Sequence, residues 1–560
     1  MNFKYFIISI LFVSSALFSE AQEKAYEVVY HRYNNQKLDS GYSFSLKYKN
    51  HITYLSDTAD KIQAFIDYNR NAIVDIINYK EKKYKTLEIF DSLPKAQESS
   101  ETDTILGYIC HKVVYSAFSN SIEIWYTTDA PAKGSPYKSY LPKNALAMQI
   151  IINGGRKLLA TEINEFTDER LLSYPFEEAQ EISKAEYREL QIKSRYVSIN
   201  VFDKQQINFE SDIKNPAYGM LDSVYRFANG TIILKKIKLP EINKEGAIIY
   251  ASLTNWSHGD AYDRTASLFT FSTQKEVSIL DALEKGIDVL PSFQDHNGTV
   301  YKGYVSTDNY DVPIELMRFF TSFGVSHFNH KREINNYKWD DSVFYKEEIT
   351  KLIPNTEDEI WIGVYIGNYD KGGHYVSLNL DFYPGWEEDI KEKWIKPLFN
   401  TVTIMEAAGQ GYSRLFNNDT LRVDFSIPEN IKDLQLIFTT TGHGGWGNGD
   451  EFVQKLNQIF IDGECVFKHI PWRTDCARYR MSNPASGNFG NGMSSSDLSR
   501  SNWCPATATP PFFIPLDNIK SGNHHIEVVI DQGEDEGSSF SHWQVSGILS
   551  GTKKPDTTTE

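Results

Sequence analysis

The sequence lacks the motifs that bind a catalytic metal or activate a serine nucleophile. None of the CxxC, HExxH or related ligand spacings occurs among its 560 residues, so the sequence predicts no zinc site. A GxSxG nucleophile elbow is absent as well. We therefore expect no cofactor, and any chemistry would depend on ordinary polar side chains.

Cysteine is scarce. The chain has only Cys110, Cys465, Cys476 and Cys504, which are too few for a scaffold held together by many disulfides. Export to an oxidising compartment would still permit one bridge.

Positive charge is also in deficit. The 57 lysines and arginines are outnumbered by 74 aspartates and glutamates, which gives a net charge of −17. Nucleic-acid binding depends on a basic surface that releases counterions, so this balance argues against nucleic acid. The expected partner is neutral or weakly charged.

Long apolar runs are absent beyond the N-terminus. There, Lys4 precedes an apolar stretch over residues 6–18, followed by Ser-Glu-Ala at 19–21, which is typical of a signal peptide. The stretch is shorter than the roughly 20 residues of a spanning helix. We expect cleavage after Ala21 and a soluble, secreted or periplasmic chain. The remaining length suggests about three domains.

Aromatic residues, by contrast, are abundant. They make up 14% of the chain and include 33 tyrosines and 10 tryptophans. Sugar faces stack well on such rings, which combine an apolar body with a polar edge. Strand-rich proteins also carry many aromatic residues in their sheets, so composition alone leaves sugar binding and sheet packing equally open.

Most periodic segments alternate apolar and polar residues, which predicts half-buried β-strands. The clearest segments cover residues 26–33, 121–127, 231–239, 247–253, 375–383, 421–427 and 525–530. Turn pairs such as Asn-Gly at 229–230 and Asp-Gly at 462–463 separate them. We predict an all-β chain of antiparallel sheets, with spacings typical of sandwiches.

Two charged stretches, 177–193 and 386–396, have helical potential and suit linkers better than core elements. We place the domain boundaries there. The predicted organisation is a signal peptide (1–21), a β-rich accessory domain (22–190), two further domains (195–385 and 397–552) and a disordered tail (553–560).

The accessory domain resembles the GLPGLI family of secreted bacterial proteins. The resemblance rests on residues 107–112, 124–127 and 140–142, although the repeat that names the family is here Tyr-Leu-Pro-Lys-Asn-Ala-Leu. It assigns no catalytic residue to this chain. A domain that shapes or extends a substrate cleft and a folding or anchoring module are equally open.

From about residue 195 onward the chain contains an ordered series of motifs. They are VSINVFDK (197–204), DAYDRTA (260–266), TTTG (439–442) and GDEF (449–452), followed by Cys476, Asn483-Pro484, Arg500 and Trp503-Cys504-Pro505. Their order and approximate spacing resemble the peptide-N-glycosidase F family over both of its domains, to about residue 552. Any one motif could arise by chance, whereas the ordered set supports the resemblance.

The family fold is two jelly-roll sandwiches of eight antiparallel strands, side by side, with the active site in the cleft between them. The resemblance implies hydrolysis of the amide between an N-linked glycan and asparagine, which leaves aspartate and releases a glycosylamine. The implied partners are N-glycosylated proteins and glycopeptides, recognised at the chitobiose core. It also implies no membrane span and a monomeric enzyme.

The resemblance assigns roles to individual residues. Asp263 is the implied primary catalytic residue, Glu451 the second acid, and Arg500 the group that holds both carboxylates and polarises the linkage. Further substrate contacts are implied for Tyr262, Arg264, Trp503 and His443. The ordinary alternatives are that Asp263 pairs with neighbouring Arg264 and that Glu451 is solvated surface charge.

The resemblance further implies a disulfide between Cys476 and Cys504, which would fix the loop carrying Arg500 and stabilise the fold by roughly 3 to 4 kcal/mol. The other two cysteines, Cys110 and Cys465, would then be buried free thiols.

Three departures limit what the resemblance implies. The family's third acidic residue falls near Tyr365, where no carboxylate stands, and Asp370 is close but not aligned. The cysteine pair that flanks the family glutamate is absent. His443 replaces a family tryptophan between two glycines, so the segment 443–449 is either a flexible turn or room for bulkier sugars such as core fucose.

Two hypotheses of other classes compete with an amidase. One is a glycan-binding protein that kept the sandwiches without the chemistry. The other is a glycosidase with Asp263 and Glu451 as its carboxylate pair. An amidase converts asparagine to aspartate, a glycosidase leaves one sugar on asparagine, and a binding protein releases nothing.

Overall fold

The computed structural model describes residues 24–56, 60–140, 142, 144–167, 172–217, 219–385, 391–417, 419–444, 449–533 and 540–553. The expected signal peptide, and the expected tail after Lys553, lie outside the described residues. The chain divides into two compact units, Met1–Ser194 and Arg195–Glu560. Within the described ranges, no helix is long and apolar enough to cross a membrane.

The first unit is built on one sheet in which twelve strands are described. They are β1 (Ala25–Asn34), β2 (Lys37–Lys49), β3 (Ile52–Tyr54), β4 (Ile62–Asp67), β5 (Ala72–Tyr79), β6 (Lys82–Ile89), β7 (Gln97–Ile105), β8 (Tyr108–Ala117), β9 (Asn120–Thr127), β10 (Leu146–Ile152), β11 (Arg156–Phe166) and β12 (Gln180–Glu181). The order is β12-β6-β5-β4-β3-β2-β1-β11-β10-β9-β8-β7. All pairs are antiparallel except the short β12–β6 pair.

One helix, α1 (Lys184–Lys193), follows the last strand of this sheet. Ser183 and Glu186 start it with a capping box, in which each side chain bonds to the other residue's backbone N–H. The helix buries Tyr187.

The second unit contains two sandwiches. The first is formed by β13 (Val197–Ile207), β14 (Val224–Phe227), β15 (Ile232–Lys238), β16 (Ile248–Ser257), β17 (Thr265–Phe271), β20 (Ile314–Phe320), β21 (Val343–Glu348), β22 (Glu359–Ile366) and β23 (His374–Tyr383), with a short helix α2 (Ile279–Lys285). Between β17 and β20, the strands β18 (Ser292–Gln294) and β19 (Val300–Lys302) form a separate two-stranded sheet. Strict alternation of buried and partly exposed residues along β16 shows why a period of two produces these strands.

The second sandwich is formed by β24 (Lys393–Asn400), β25 (Leu421–Ile427), β26 (Ile431–His443), β27 (Asn457–Ile461), β28 (Glu464–His469), β29 (Ala508–Thr509), β30 (Phe512–Pro515), β31 (Gly522–Ile530) and β32 (His542–Lys553). Its two main sheets have the orders β24-β32-β26-β30 and β25-β31-β27-β28. The sheets of the first sandwich have the orders β13-β23-β16-β21 and β14-β15-β22-β17-β20-β29. The two sheets of the first sandwich thus contain ten strands, more than the eight expected. One of the ten, β29, comes from the sequence segment of the second sandwich.

Buried polar contacts join the two sandwiches across β20. The guanidinium of Arg318 pairs with Glu315 at 2.7 Å and donates to the Gln544 carbonyl and the Thr441 hydroxyl. The Ser546 hydroxyl donates to Glu315 at 2.6 Å. Because both ions also have hydrogen-bond partners, burial leaves neither charge uncompensated.

All segments predicted as strands lie on strands, and the prediction of a mainly β chain is confirmed. The helical interpretation of 177–193 holds for α1, although the segment begins with β12. The interpretation of 386–396 is wrong from Lys393 onward, because that residue opens β24, which pairs with β32. Its ammonium group is compatible with the strand because it donates to the carbonyls of Thr350 and Ile353. Residues 386–390 lie outside the described residues.

Candidate active site

Loops from both sandwiches surround one cavity of about 610 Å³, which is within the usual size range of small-ligand sites. The β16–β17 loop of the first sandwich contributes Tyr262 and Asp263. The second sandwich contributes Glu451 from the β26–β27 connection and Arg500 from the long connection before β29. Three phenylalanines, Phe323, Phe452 and Phe489, line another part of the wall.

Arg500 lies between the two carboxylates. One of its terminal nitrogens, Nη1, is 3.4 Å from Asp263 Oδ2 and also contacts Glu451 Oε1. The other, Nη2, donates to the Ser495 carbonyl at 2.9 Å. The guanidinium is stacked 4.4 Å from the Trp503 ring centroid. Residues far apart in sequence and from different sandwiches therefore share one buried cation.

The carboxylates are accessible whereas the arginine is not. The side chains of Asp263 and Glu451 are 17% and 18% exposed, against 2% for Arg500. Desolvation raises the pKa of Asp263, while the positive charge of Arg500 opposes that rise. Burial lowers the pKa of Arg500, and the charge of Asp263 works against that lowering. Asp263 is therefore placed to exchange protons with a bound molecule.

The loop that carries Asp263 is fixed by hydrogen bonds on both sides of it. The Asp260 carboxylate accepts from the Tyr262 backbone N–H at 3.1 Å. The Thr321 hydroxyl accepts from the Arg264 N–H at 2.8 Å and donates to the Tyr262 carbonyl at 3.0 Å. Asp263 thus stands in the middle of a rigid turn.

Arg264 pairs with Asp260 and not with Asp263, so the ordinary alternative for Asp263 does not describe this structure. Its Nε and Nη2 donate to the buried Asp260 carboxylate at 2.7 and 3.2 Å. The bonds from His374 and Arg264 lower the pKa of Asp260 to about 2, although desolvation opposes them. The guanidinium also lies 5.0 Å from the ring centroid of Tyr262, which is 61% exposed and lines the cavity.

Glu451 is held through its main chain by the residue that follows Arg500. The Ser501 backbone N–H donates to the Glu451 carbonyl at 3.0 Å, and the Ser501 hydroxyl donates to the Asp450 carbonyl at 2.5 Å. The position of Glu451 is therefore linked directly to that of Arg500.

Trp503 and His443 do not line the cavity, although both were expected to contact substrate. Trp503 is 3% exposed, stacks on Phe320 at 4.2 Å and donates from Nε1 to the Gly442 carbonyl. His443 is 5% exposed, and its ring centroid lies 5.4 Å from that of Trp503. Both rings are covered by other aromatic groups, and Trp503 also packs against the Arg500 guanidinium.

His443 is neutral. Burial, with the neighbouring His542 and the charges of Arg318 and Arg500, holds its pKa well below the usual value. The Thr441 hydroxyl accepts from Arg318 Nη1 and lies 2.7 Å from His443 Nε2.

Sequence analysis missed Glu406, which lies beside this site. Its carboxylate accepts hydrogen bonds from the hydroxyls of Tyr365 at 3.1 Å, Tyr369 at 2.8 Å and Tyr412. Electrostatic interaction with Arg264 connects both Asp263 and Glu406 to one guanidinium. A carboxylate therefore does stand next to Tyr365, but it comes from the second sandwich. No signal in the sequence around 406 points to this contact.

Asp370, which stands near the expected position of a third acid, has a structural role. Its Oδ1 accepts from the backbone N–H groups of Gly372 and Gly373, both at 2.8 Å. These bonds close the turn before β23 and leave Asp370 outside the group of residues that line the cavity.

A disulfide joins Cys476 and Cys504, the pair that the family resemblance implied. It closes the segment that carries Arg500 and the cavity residues Ala485 and Phe489. Cys110 is a buried free thiol as expected, whereas Cys465 is exposed. The difference arises because β28 is the edge strand of its sheet.

Among the described residues, no group of three or more His, Cys, Asp and Glu side chains is placed to hold a metal ion. The expectation that the protein works without a cofactor stays a prediction.

Family models match almost the entire second unit and most of the first. "Peptide-N-glycosidase F, N terminal" matches residues 198–382, and "Peptide-N-glycosidase F, C terminal" matches residues 411–550. "N-glycanase peptide, N-terminal domain" matches residues 50–189. The last match covers the region for which a GLPGLI-like domain was expected. No curated protein matches the chain.

Solved structures are similar over the same regions. PNGF-II in space group P21 is 39% identical, covers 95% of this chain and 100% of its own, and gives a TM-score of 0.84. PNGF-II in space group C2 is also 39% identical, covers 96% of this chain and 100% of its own, and gives a TM-score of 0.80. PNGase F, a glycosylasparaginase from Flavobacterium meningosepticum, is 15% identical, covers 64% of this chain and 96% of its own, and gives a TM-score of 0.42.

Proposed function

Because the chain belongs to the peptide-N-glycosidase F family, we propose that it is a glycoasparagine amidase acting on N-glycosylated proteins and glycopeptides. The observation that carries the proposal is the meeting of Asp263 and Glu451, from different sandwiches, at the buried Arg500. One water is consumed. Its oxygen becomes part of the new aspartate side chain, the C–N bond breaks, and the nitrogen leaves with a proton as a glycosylamine.

Asp263 exchanges the protons of this reaction. Its carboxylate takes a proton from the attacking water and returns it to the leaving nitrogen, without which the amide bond would not break. Desolvation raises its pKa, which brings the group closer to the pH at which a general base and acid must work. Its partial exposure at the cavity wall supports direct contact with the linkage.

Arg500 provides the positive charge that the tetrahedral intermediate requires. Charge develops on the former carbonyl oxygen, and a fixed cation in a poorly solvated site stabilises it without further reorganisation. Contacts with Ser495 and Trp503 hold the guanidinium before substrate arrives. Glu451 orients this cation and, through its second oxygen, the water or the first sugar.

The glycan is proposed to extend from Asp263 toward Tyr262 and Glu406. Tyr262 is an exposed ring at the cavity edge, and aromatic faces suit the apolar faces of sugars. Glu406, Tyr369 and Arg264 add acceptors and donors for sugar hydroxyls on the same side. This arrangement favours recognition of a chitobiose core by the amidase.

We also propose that the enzyme acts outside the cytoplasm as a monomer. The pattern at residues 1–21 is typical of a signal peptide, and export would bring the enzyme to glycoproteins. The Cys476–Cys504 disulfide agrees with an oxidising compartment.

The proposal is tested by mass spectrometry of a defined N-glycopeptide incubated with the exported form of the chain in EDTA. We expect the peptide to acquire the mass of aspartate at the former glycan site, with an intact reducing-end chitobiose released. A peptide that retains one sugar would indicate a glycosidase. An untouched glycopeptide, repeated with several core types, would indicate a binding protein.

A matched pair of variants completes the test. Asp263→Asn should lose turnover, whereas Asp212→Asn, which removes an exposed carboxylate from the same sandwich, should retain it. Equal turnover of the two variants would remove Asp263 from the catalytic role.

A further inference from the structure

The connection that carries Glu451 contains no cysteine. No cysteine stands between Cys110 and Cys465 in the sequence, and the disulfide of the second sandwich lies in a different connection. Glu451 nevertheless has to stay against Arg500 for the site to exist, because a displacement of about 1 Å can lower a catalytic rate by roughly 100-fold. Another feature must fix it.

The neighbouring residue, Asp450, is fully buried with its carboxylate turned away from the cavity. Its Oδ2 accepts from the Trp543 indole N–H at 2.7 Å. The Gly533 backbone N–H lies 2.9 Å from Oδ1 and 3.2 Å from Oδ2. The Lys455 ammonium is 3.8 Å from Oδ1. One carboxylate thus ties the Glu451 segment to β32 and to the connection before it.

The chemistry of this position demands a carboxylate. All of its described partners donate, and an ionised carboxylate accepts at both oxygens. An amide of the same shape would turn an NH2 group toward the Gly533 or Trp543 donor. Buried donors that face each other remain unsatisfied, at a cost of about 1–3 kcal/mol each.

The main chain transmits this restraint to the active site. The Asp450 N–H donates to the Ser541 hydroxyl at 3.1 Å, and its carbonyl accepts from the Ser501 hydroxyl at 2.5 Å. The Glu451 carbonyl accepts from the Ser501 N–H at 3.0 Å. Movement of Asp450 would therefore move Glu451 relative to Arg500.

We propose that Asp450 is a positioning residue for Glu451, holding it against Arg500 through the Trp543 and Gly533 donors. This inference rests on the proposed amidase function. It adds a residue that touches neither substrate nor reacting atoms and that acts only through its neighbour.

Kinetics of Asp450→Asn in the exported full chain provide the first test. We expect kcat to fall about 10- to 100-fold, as a displaced catalytic group predicts, with KM within about twofold of the wild type. The control is Asp517→Asn, which removes an exposed carboxylate from the same sandwich and should keep wild-type kcat. If the wild type turns over substrate and Asp450→Asn has the same kcat, the inference is overturned while the proposed function stands.

A double-mutant cycle separates positioning from general destabilisation. In a Glu451→Gln background, Asp450→Asn should lower kcat no further, because the group it positions has been removed. A further loss equal to that of the single variant would show that Asp450 acts elsewhere and would overturn the inference.

One measurement depends neither on the proposed function nor on the folding of Asp450→Asn. Trp543→Phe removes one donor and leaves Asp450 charged, so crystals of this variant should show Glu451 withdrawn from Arg500 by about 0.5 Å or more, a displacement that matters for catalytic geometry. An unchanged Glu451–Arg500 contact in Trp543→Phe would overturn the inference. Absence of amidase turnover in the wild type would instead contradict only the proposed function.

Discussion

Asp263 stands three residues after a buried aspartate, Asp260, in the first sandwich, and Glu451 stands one residue after another, Asp450, in the second. Both aspartates accept hydrogen bonds that hold their segments in place. The two carboxylates proposed to be catalytic are therefore each held by a neighbouring buried aspartate, one in each sandwich.

The serine contacts repeat as well. The Ser257 hydroxyl donates to the carbonyl of Asp260, and the Ser501 hydroxyl donates to the carbonyl of Asp450, each at 2.5 Å. Convergence of backbone and side-chain restraints on one residue leaves each segment little freedom.

The charge balance of the two anchors differs. Asp260 pairs with Arg264 and with His374, and its pKa falls to about 2 despite desolvation. Desolvation dominates at Asp450 and raises its pKa, because its closest partners are neutral donors and Lys455 is 3.8 Å away. The first anchor depends on ion pairing, whereas the second depends on hydrogen bonds to an ion with little compensation.

The largest predicted effect concerns the carboxylates themselves. Asp263→Asn should lower kcat by about 1,000-fold or more, because proton transfer is lost, and Glu451→Gln by about 100-fold. Glycopeptide binding, measured by calorimetry, should remain within a few-fold of the wild type in both. A larger loss of kcat in Glu451→Gln than in Asp263→Asn would make Glu451, and not Asp263, the main catalytic carboxylate.

The next effect concerns the cation that the two loops share. Arg500→Lys replaces a planar fork by a single ammonium group, so one carboxylate loses its partner and kcat should fall about 100-fold. The exposed Arg478, in the same disulfide-closed segment, offers the matched control Arg478→Lys. Similar kinetic constants in Arg500→Lys and Arg478→Lys would show that Arg500 does not contribute to catalysis.

Stability against pH tests the difference between the anchors. Asp260→Asn should lower the free energy of unfolding at pH 7 by about 2 kcal/mol, since it leaves the partly buried Arg264 guanidinium without its carboxylate. The depressed pKa of Asp260 means that its contribution is complete above pH 4 and is lost as the pH falls toward 2. The difference between wild type and variant in the free energy of unfolding, measured with urea, should decrease as the pH falls from 4 toward 2.

The raised pKa of Asp450 predicts the opposite trend. Desolvation makes ionisation of Asp450 less favourable in the folded than in the unfolded chain, although its partners are all donors. The wild type should therefore gain stability relative to Asp450→Asn as the pH falls from 7 toward 4. Parallel urea series for the two asparagine variants would reveal this. Curves that move in the same direction would mean that the anchors do not differ in charge balance.

The smallest predicted effect concerns Glu406. Glu406→Gln keeps an acceptor for the tyrosine hydroxyls but removes the charge that faces Arg264, so KM should rise about 3- to 10-fold with kcat nearly unchanged. The exposed Glu429 provides the control Glu429→Gln. A fall in kcat without a change in KM would place Glu406 in the chemistry instead.

The sequence predicted the strands because burial on one face of a sheet imposes a period of two on the side chains. It failed for Lys393, whose charge suggested a linker, because a long side chain in a strand can reach backbone carbonyls nearby. Strand order, and the transfer of β29 to the first sandwich, depend on contacts between distant segments and leave no local pattern.

The site was predictable where a motif carried it and not where distant residues met. Asp263, Glu451 and Arg500 stand in recognisable segments, and all three line the cavity. Glu406 had no motif, since its tyrosine partners are spread over residues 365–412. The substrate contact expected for Trp503 stays a prediction, since its ring is 3% exposed and packs against Phe320 and Arg500.

The two-residue strand β29 links the proposed active site to the folding of both sandwiches. It pairs with Arg318 and Phe319 in the sheet of the first sandwich, although it follows the disulfide-closed segment of the second. A break in either sandwich would separate Asp263 from Arg500 at once. The proposed amidase activity should therefore report the fraction of molecules in which both sandwiches are intact, and neither sandwich alone should be active.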